Sequence, residues 1–246
     1  MSKSTEALAD LLEERKQPGV NVEDVDRRIL SLFGETWCVV FTGLASSERR
    51  SADTDIITFL AHVHELDKIT GPIVQKNCGF TLKKTAGSSM MIFRDPKAAL
   101  RTCVEVQQSL ALHNRHAAAA DHLLLGCGIG FGPCIKLGDD DIFGVEVNLA
   151  AWLGEATAGP YEVLLTPSAL KAVGPLDGVR FEALSDVDKK LSWLRAAFMA
   201  VPAGAAALPG VAGGTHVATR SKNGAVKNGA ARPRSRGKKN AGARSR

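Results

Sequence analysis

The side chains that could do chemistry fall in three short stretches: Lys84-Thr85-Ala86-Gly87-Ser88-Ser89, Asp139-Asp140-Asp141, and Asn148 within Val145-Glu146-Val147-Asn148-Leu149-Ala150. Each has an ordinary structural reading beside a functional one. Lys84 follows Lys83 next to a turn, where a solvated lysine needs no function. Asp141 ends an acidic run just before a helical pattern, and carboxylates favour helix starts. Asn148 inside a helix runs against propensity, so it points either to a buried hydrogen bond or to a ligand. The triple aspartate lacks the alternate spacing and closing glutamate of a calcium loop. No Gly-x-Ser-x-Gly elbow frames Ser88-Ser89, which argues against a serine nucleophile. His62, His64, His113, His116 and His122 supply one pair at helical spacing, His113 with His116, but no evident third metal ligand. Cys38, Cys78, Cys103, Cys127 and Cys134 include no pair at zinc-knuckle or redox-motif spacing, so free thiols in a reducing compartment are expected.

The elements that must position these residues follow from hydrophobic period. Residues 4–15 read as an amphipathic helix capped by Ser4 or Thr5 and ended by Pro18-Gly19. A second helix is predicted from Val22 to Phe33, with Val25, Ile29, Leu30 and Phe33 on one face and Gly34 as its stop. Trp37 to Thr42 is a short apolar run suited to a strand buried on both sides. Ile56, Ile57, Leu60, Val63, Leu66 and Ile69 recur at threes and fours, predicting a helix from about Asp53 to Val74. Phe80–Lys84 and Ser89–Phe93 read as a hairpin around Ala86-Gly87. A second long helix is expected from Pro96 to about His116, with Ala99, Leu100, Cys103, Val104, Val106 and Leu110 facing inward. Leu123–Phe131 and Cys134–Leu137 read as a strand pair broken at Gly132-Pro133. A helix from Val145 to about Glu155, a strand Val163–Leu165 and a helix opening at Thr166-Pro167-Ser168 follow. The last segment fits either a strand over Ala196–Val201 or a helix beginning at Lys190. Strands alternating with long helices, with hairpins between, imply an α+β fold: a mixed sheet with helices on one face.

Charge divides the chain. From Thr215 to Arg246 there are ten Lys or Arg and no acid, which leaves 21 cations against all 26 acids in the rest, a net of −5. The organisation this implies is a helical extension over 1–35, a folded domain over 36–201 and a basic Ala/Gly/Lys/Arg tail over 202–246 whose composition predicts disorder. Such a tail suits salt-sensitive, non-specific binding to nucleic acid or to an anionic lipid surface, or serves only to solubilise. It has no aromatic residue to stack on bases. No apolar run reaches a membrane span, and the N-terminus lacks the pattern of a signal peptide, so a cytoplasmic protein is expected.

Four of these segments resemble, in order, the motifs of class III adenylate and guanylate cyclase catalytic domains. Phe41-Thr42-Gly43-Leu44 is similar to the family's strand ending in Phe-Thr-Asp-Ile, and Lys84 to Ser89 to its Lys-Thr-x-Gly-Asp-Gly hairpin. Gly128-Ile129-Gly130 with Gly132 resembles its Gly-(Ile/Leu)-x-x-Gly strand, and Asp141 to Ala150 its Asp-x-Phe/Trp-Gly-x-x-Val-Asn-x-Ala segment. The resemblance covers roughly residues 36–200 and implies the ferredoxin-like mixed, largely antiparallel sheet of the nucleotide cyclase fold.

It also implies a deficit. Two aspartates bind the family's metal ions, and this sequence has Gly43 and Ser88 in their places; Trp152 stands where the family has a charge-stabilising arginine. Two divalent ions clamped by carboxylates are what stabilise the attacking and leaving oxygens. The resemblance retains the base-selecting pair as Lys84 and Asp141 and the ribose-orienting asparagine as Asn148. Family sites form between two subunits. The expectation is therefore a catalytically silent homologue acting as a nucleotide-binding or dimerisation and signalling module, as a homodimer or as a heterodimer with another cyclase-type domain. ATP is a candidate ligand, and no cofactor is expected. The alternative is an adenylate cyclase completed by a partner, in which case magnesium or manganese would enter with the partner's aspartates.

Overall fold

The computed structural model describes residues 3–44, 55–85, 87–139 and 141–184 and the backbone of 198–202. The chain divides into two units, Met1–Ala212 and Gly213–Arg246, and every described residue lies in the first. The predicted helix from Lys190, Ala86 of the hairpin turn, Asp140 of the acidic run and tail residues 203–246 lie outside the described residues.

Helices α1 (Lys3–Glu14) and α2 (Val22–Phe33) come first. Leu11, Val25 and Ile29 are buried between them, with Phe33 and Ile135 packed alongside. Arg15 pairs with Asp26 at 2.6 Å and Arg28 with Glu14 at 2.6 Å, linking the two helices on their exposed side. Gly34 ends α2 as expected, its N–H donating to the Leu30 carbonyl. Leu30 itself is exposed rather than packed; the residues on Val25's side of α2 are already sufficient to cover α1.

Strand β1 (Gly34–Leu44), helix α3 (Ile56–Lys76), the hairpin β2 (Phe80–Thr85) and β3 (Ser88–Phe93), helix α4 (Pro96–Asn114) and strand β4 (Leu125–Leu137) build the central unit. Side-chain caps set both long helices. Asp55 accepts from the N–H groups of Ile57 and Thr58, and Asp95 accepts from that of Lys97 with Pro96 in the first turn. Gly87 turns the hairpin at φ +80°, a conformation that favours glycine. β1 lies antiparallel between β3 and β4, and β2 pairs antiparallel with β3.

The rest of the chain extends this sheet. β5 (Asp141–Phe143) folds back on β4, helix α5 (Val145–Ala151) follows, and β6 (Val163–Leu165) adds parallel to β4. Helix α6 (Pro167–Val173), β7 (Val179–Ala183) and β8 (Phe198–Pro202) complete it. The order is β2-β3-β1-β4-β6-β8-β7, with β5 beside β4.

Alternation along β1 divides the core. Cys38, Val40 and Leu44 pack against α3 and α4, through Leu66, Ile73, Leu100 and Cys103 among others. Trp37 and Val39 point the other way and join Met90, Ile92, Cys134, Ile142 and Val147 of α5. The strand is thus buried on both sides, as its continuous apolar run implies.

Several expectations are corrected. The break at Gly132-Pro133 does not occur: β4 is continuous, with Thr36 opposite Pro133. On the flank away from β1, β6 pairs only Cys127–Ile129 and β5 only Ile135–Leu137, so Pro133 falls where no ladder bond is needed on that side. Asp141 opens a strand rather than a helix, paired with Leu137. Ile56, Ile57 and Leu60 are exposed, and α3 buries Leu66, Ile73 and Val74 nearer its C-terminal end. The helix predicted to Glu155 changes at Trp152 into a turn of π-helix, Trp152–Thr157.

α5 lies unusually near the sheet. A Cβ added at Gly128 would stand 2.3 Å from both the Ala150 carbonyl oxygen and the Gly154 nitrogen, and one at Gly130 2.3 Å from the Glu146 carbonyl oxygen. Backbone cannot yield as a flexible side chain can. Gly128→Ala is therefore expected to cost about 1–3 kcal/mol, read as a lower midpoint in chemical denaturation; an unchanged midpoint would contradict the close contact.

The thiols give a second test. Cys38, Cys103, Cys127 and Cys134 are buried and Cys78 is exposed. Burial, with Glu35 adding, pushes the Cys134 thiol up to about 11, and burial raises Cys38 further. A hydrogen bond with Cys127, then burial, raises Cys103. Alkylation of the native chain near neutral pH should label Cys78 and spare the other four until denaturant is added; native labelling of Cys38 or Cys127 would refute this packing.

Candidate functional site

The end of β1, the β2–β3 hairpin and the α5–π segment meet on the sheet face opposite α3 and α4. Gly43 and Ser88 are direct partners across the β1–β3 ladder. By alternation with Trp37 and Val39 on one strand, and Met90 and Ile92 on the other, both face α5. The two positions at which the resemblance implies metal-binding aspartates thus adjoin.

What fills them is a glycine and a hydroxyl, and the hydroxyl is engaged. Ser88 Oγ donates to the carboxylate of Glu155, which the π-turn carries. The preceding Gly154 seats that turn: a Cβ there would be 2.2 Å from the Phe41 carbonyl oxygen. Sequence reasoning missed Glu155, since no motif marks it. The available signal was Gly154, a glycine late in a helical pattern, facing Gly128 on the strand.

One carboxylate and one hydroxyl do not match the ligand set that two divalent ions require. Among the described residues no group of three or more His, Cys, Asp and Glu side chains could hold a metal ion. His62 Nε2 lies 3.6 Å from Asp121, and the Glu65 carboxyl is held below its usual range by Lys68, with His113 and His64 adding.

The residues carried over for base and ribose recognition are dispersed within one chain. Lys84 lies opposite Ser89 and turns toward α3, where its ammonium is 2.9 Å from Asp67. With Thr42, Thr70 and Ser89 it lines a small cleft between α3 and the sheet. Lys83 takes the other face and sits 3.4 Å from Asp141. A register shift between Thr81 and Lys83 sets this phase. Asp141 is thus paired with Lys83, and Lys84 and Asp141 are not in contact. Asp141 also accepts from the N–H of Ile142 at 3.0 Å.

Asn148 is on the exposed side of α5, beside Val145 and Phe143, which are 68% and 51% exposed. A buried structural asparagine is therefore excluded. Trp152 is half-buried against Leu149, Leu153 and Leu164, so its indole serves packing where the resemblance has a cation. Glu146, also missed from sequence, accepts from the Phe131 N–H at 3.2 Å and the Thr166 hydroxyl at 2.6 Å. The Thr166 hydroxyl in turn accepts from the Ala169 N–H to cap α6. This partly buried relay ties α5 to β4 and α6, and so holds the exposed face of α5 in place.

No model of a known protein family matches the sequence, and no curated protein matches it. Solved structures do match. An adenylate/guanylate cyclase/hydrolase from Silicibacter pomeroyi is 20% identical, with 68% of this chain and 95% of that one covered and a TM-score of 0.56. The adenylyl cyclase CyaB from P. aeruginosa is 17% identical, with 68% and 94% covered and a TM-score of 0.57. A non-canonical dimeric guanylyl cyclase domain of the RhoGC fusion protein from Blastocladiella emersonii is 14% identical, with 68% and 97% covered and a TM-score of 0.55. The α+β architecture and the central antiparallel strands agree with that likeness: this chain has the fold of the class III adenylate and guanylate cyclase catalytic domains.

Proposed function

We propose that this protein is a catalytically silent homologue of the nucleotidyl cyclases, acting as a nucleotide-binding or dimerisation module. The observation that carries the reading is the Gly43–Ser88 pair: adjacent across the ladder, without a carboxylate of its own, its hydroxyl committed to Glu155. Phosphoryl chemistry of this kind is nearly all positioning and charge stabilisation. Losing a single oriented donor costs roughly 10²–10³ in rate, and here both metal anchors and the arginine position are altered together.

The dimer half of the proposal draws on the exposed edge formed by Phe143, Val145 and Asn148. Large apolar side chains left in water beside polar groups favour a partner surface, and one fold neighbour is a dimeric domain. Under this reading Asp141 and Asn148 of one protomer face Gly43 and Ser88 of the other, and Lys84 joins them only by leaving Asp67.

Purified chain incubated with ATP or GTP and magnesium or manganese should form no cyclic nucleotide above the protein-free blank, and should sediment as a dimer at micromolar concentration. Product formation that is abolished by Asn148→Ala would overturn the silent reading. Product that arises only on mixing with a second cyclase-type chain would replace it with a partner-completed enzyme.

A further inference from the structure

On the sheet face that packs on α3 and α4, one row is polar. Lys84, Ser89, Thr42 and Cys127 stand opposite one another across β2, β3, β1 and β4. Two residues along, Met91, Val40 and Ile129 pair in the same way, and all three are buried. Thr42 is only 5% exposed, yet neither its hydroxyl nor that of Ser89 meets a hydrogen-bond partner among the described residues. A buried hydroxyl left unpaired costs stability, so such groups are normally completed by protein, water or a ligand.

The row borders open space. Two adjoining cavities of about 20 Å³ and 40 Å³ lie between it and α3, and Lys84, Ser89, Thr42 and Thr70 line both. The smaller has room for about one water-sized group, the bulk of a methyl. Met91, Cys103, Val106 and Cys127, all buried, line that one alone. Above it α3 carries Gly71, where an added Cβ would meet nothing within 4 Å. The larger cavity reaches Asp67, which lies 2.9 Å from the Lys84 ammonium. An ammonium has three donors, so Lys84 can hold Asp67 and still serve a second acceptor. The cleft therefore presents donors where its two parts meet and an apolar floor in the smaller part.

We infer that this cleft binds a small aliphatic carboxylate, of the size of acetate or propionate. The ligand's oxygens accept from Lys84, Ser89 and Thr42, and the ammonium then bridges Asp67 and the ligand. Hydrogen bonds of this charge-assisted kind are the stronger ones. The short tail lies on Met91, Val106 and the two thiols. That floor separates such a ligand from phosphate, which has four oxygens and no tail. The inference does not depend on the nucleotide or dimer reading above, whose tests can fail without touching it.

An NMR titration of the full isotope-labelled chain with propionate, acetate, acetamide and inorganic phosphate, at matched ionic strength, tests it. Propionate and acetate are expected to give saturable shifts at the amides of Thr42, Thr70 and Ser89. Their dissociation constants should be on the order of 1 mM, as suits ligands of so few atoms. Acetamide and phosphate should bind at least about tenfold more weakly. Thr42→Val keeps the shape and removes the hydroxyl. It should weaken propionate about tenfold while leaving the ligand-free denaturation midpoint unchanged or higher, and Lys84→Met should weaken propionate at least as much. Circular dichroism melts establish that both variants fold; should either fail, the wild-type rank order decides. Phosphate binding as tightly as propionate would overturn the apolar floor, and acetamide binding as tightly as acetate would overturn the need for charge. Unchanged propionate affinity in Thr42→Val would overturn the donor row. No saturable shift with any of the four would leave a cleft that holds only water and overturn the inference.

Discussion

The close seating of α5 and its π-turn on β1 and β4 is the constraint on which the site depends. Gly128, Gly130 and Gly132 recur at every second position of β4, and so present one face without side chains. Gly154 answers them from the helix side, where its own Cβ would lie 2.8 Å from the Gly128 nitrogen. Glycine in a strand weakens it in isolation. Here the loss is offset by a helix that can descend to backbone contact, cover Trp37 and Val39 through Val147, and carry Asn148, Trp152 and Glu155 at fixed heights above the sheet. A side chain at Gly128 or Gly130 would meet helix backbone and push the helix away from the sheet.

The fold and the candidate site draw on different residues. Stability lies mainly in the large cluster between the sheet and α3 and α4, including Phe93, Leu100, Leu110, Ile129 and Leu165. Burying each such side chain contributes on the order of 1.5–3 kcal/mol. Gly43 and Ser88 sit at the end of the ladder and contribute almost nothing to that cluster. A side chain at such a position can be exchanged with the packing left intact, so the fold does not depend on which residues stand there.

How legible the structure is in the sequence depends on whether the controlling interaction is local. The inward face of α4 is readable because Ala99, Leu100, Cys103, Val106 and Leu110 satisfy one period against one sheet, and all are buried. The helix starts at Pro96 and at Thr166-Pro167 are readable because their capping hydrogen bonds reach only two or three residues. Pro133 misleads because its tolerance depends on which strands fail to pair beside it, a fact of tertiary structure. The exposure of Ile56, Ile57 and Leu60 is hidden for the same reason: their period is helical, but α3 buries Leu66, Ile73 and Val74 nearer its other end. At the site, the adjacency of Gly43 and Ser88 follows from motif order, whereas the Ser88–Glu155 contact joins residues 67 apart through a π-turn that no propensity encodes.

The lysine pair shows where a register shift outweighs a motif. Adjacent residues on a strand face opposite ways, so the irregularity between Thr81 and Lys83 decides which lysine meets α3 and which meets Asp141. Lys84 and Lys83 remain 48% and 54% exposed at the side chain, and their carboxylate partners about one-third. Ion pairs this open contribute about 0–1 kcal/mol, less than a ligand that accepts a desolvated hydrogen bond from a lysine, at about 1.5–3 kcal/mol. Neither pair therefore holds its ammonium firmly, and what the register shift fixes is the side of the sheet on which each lysine lies.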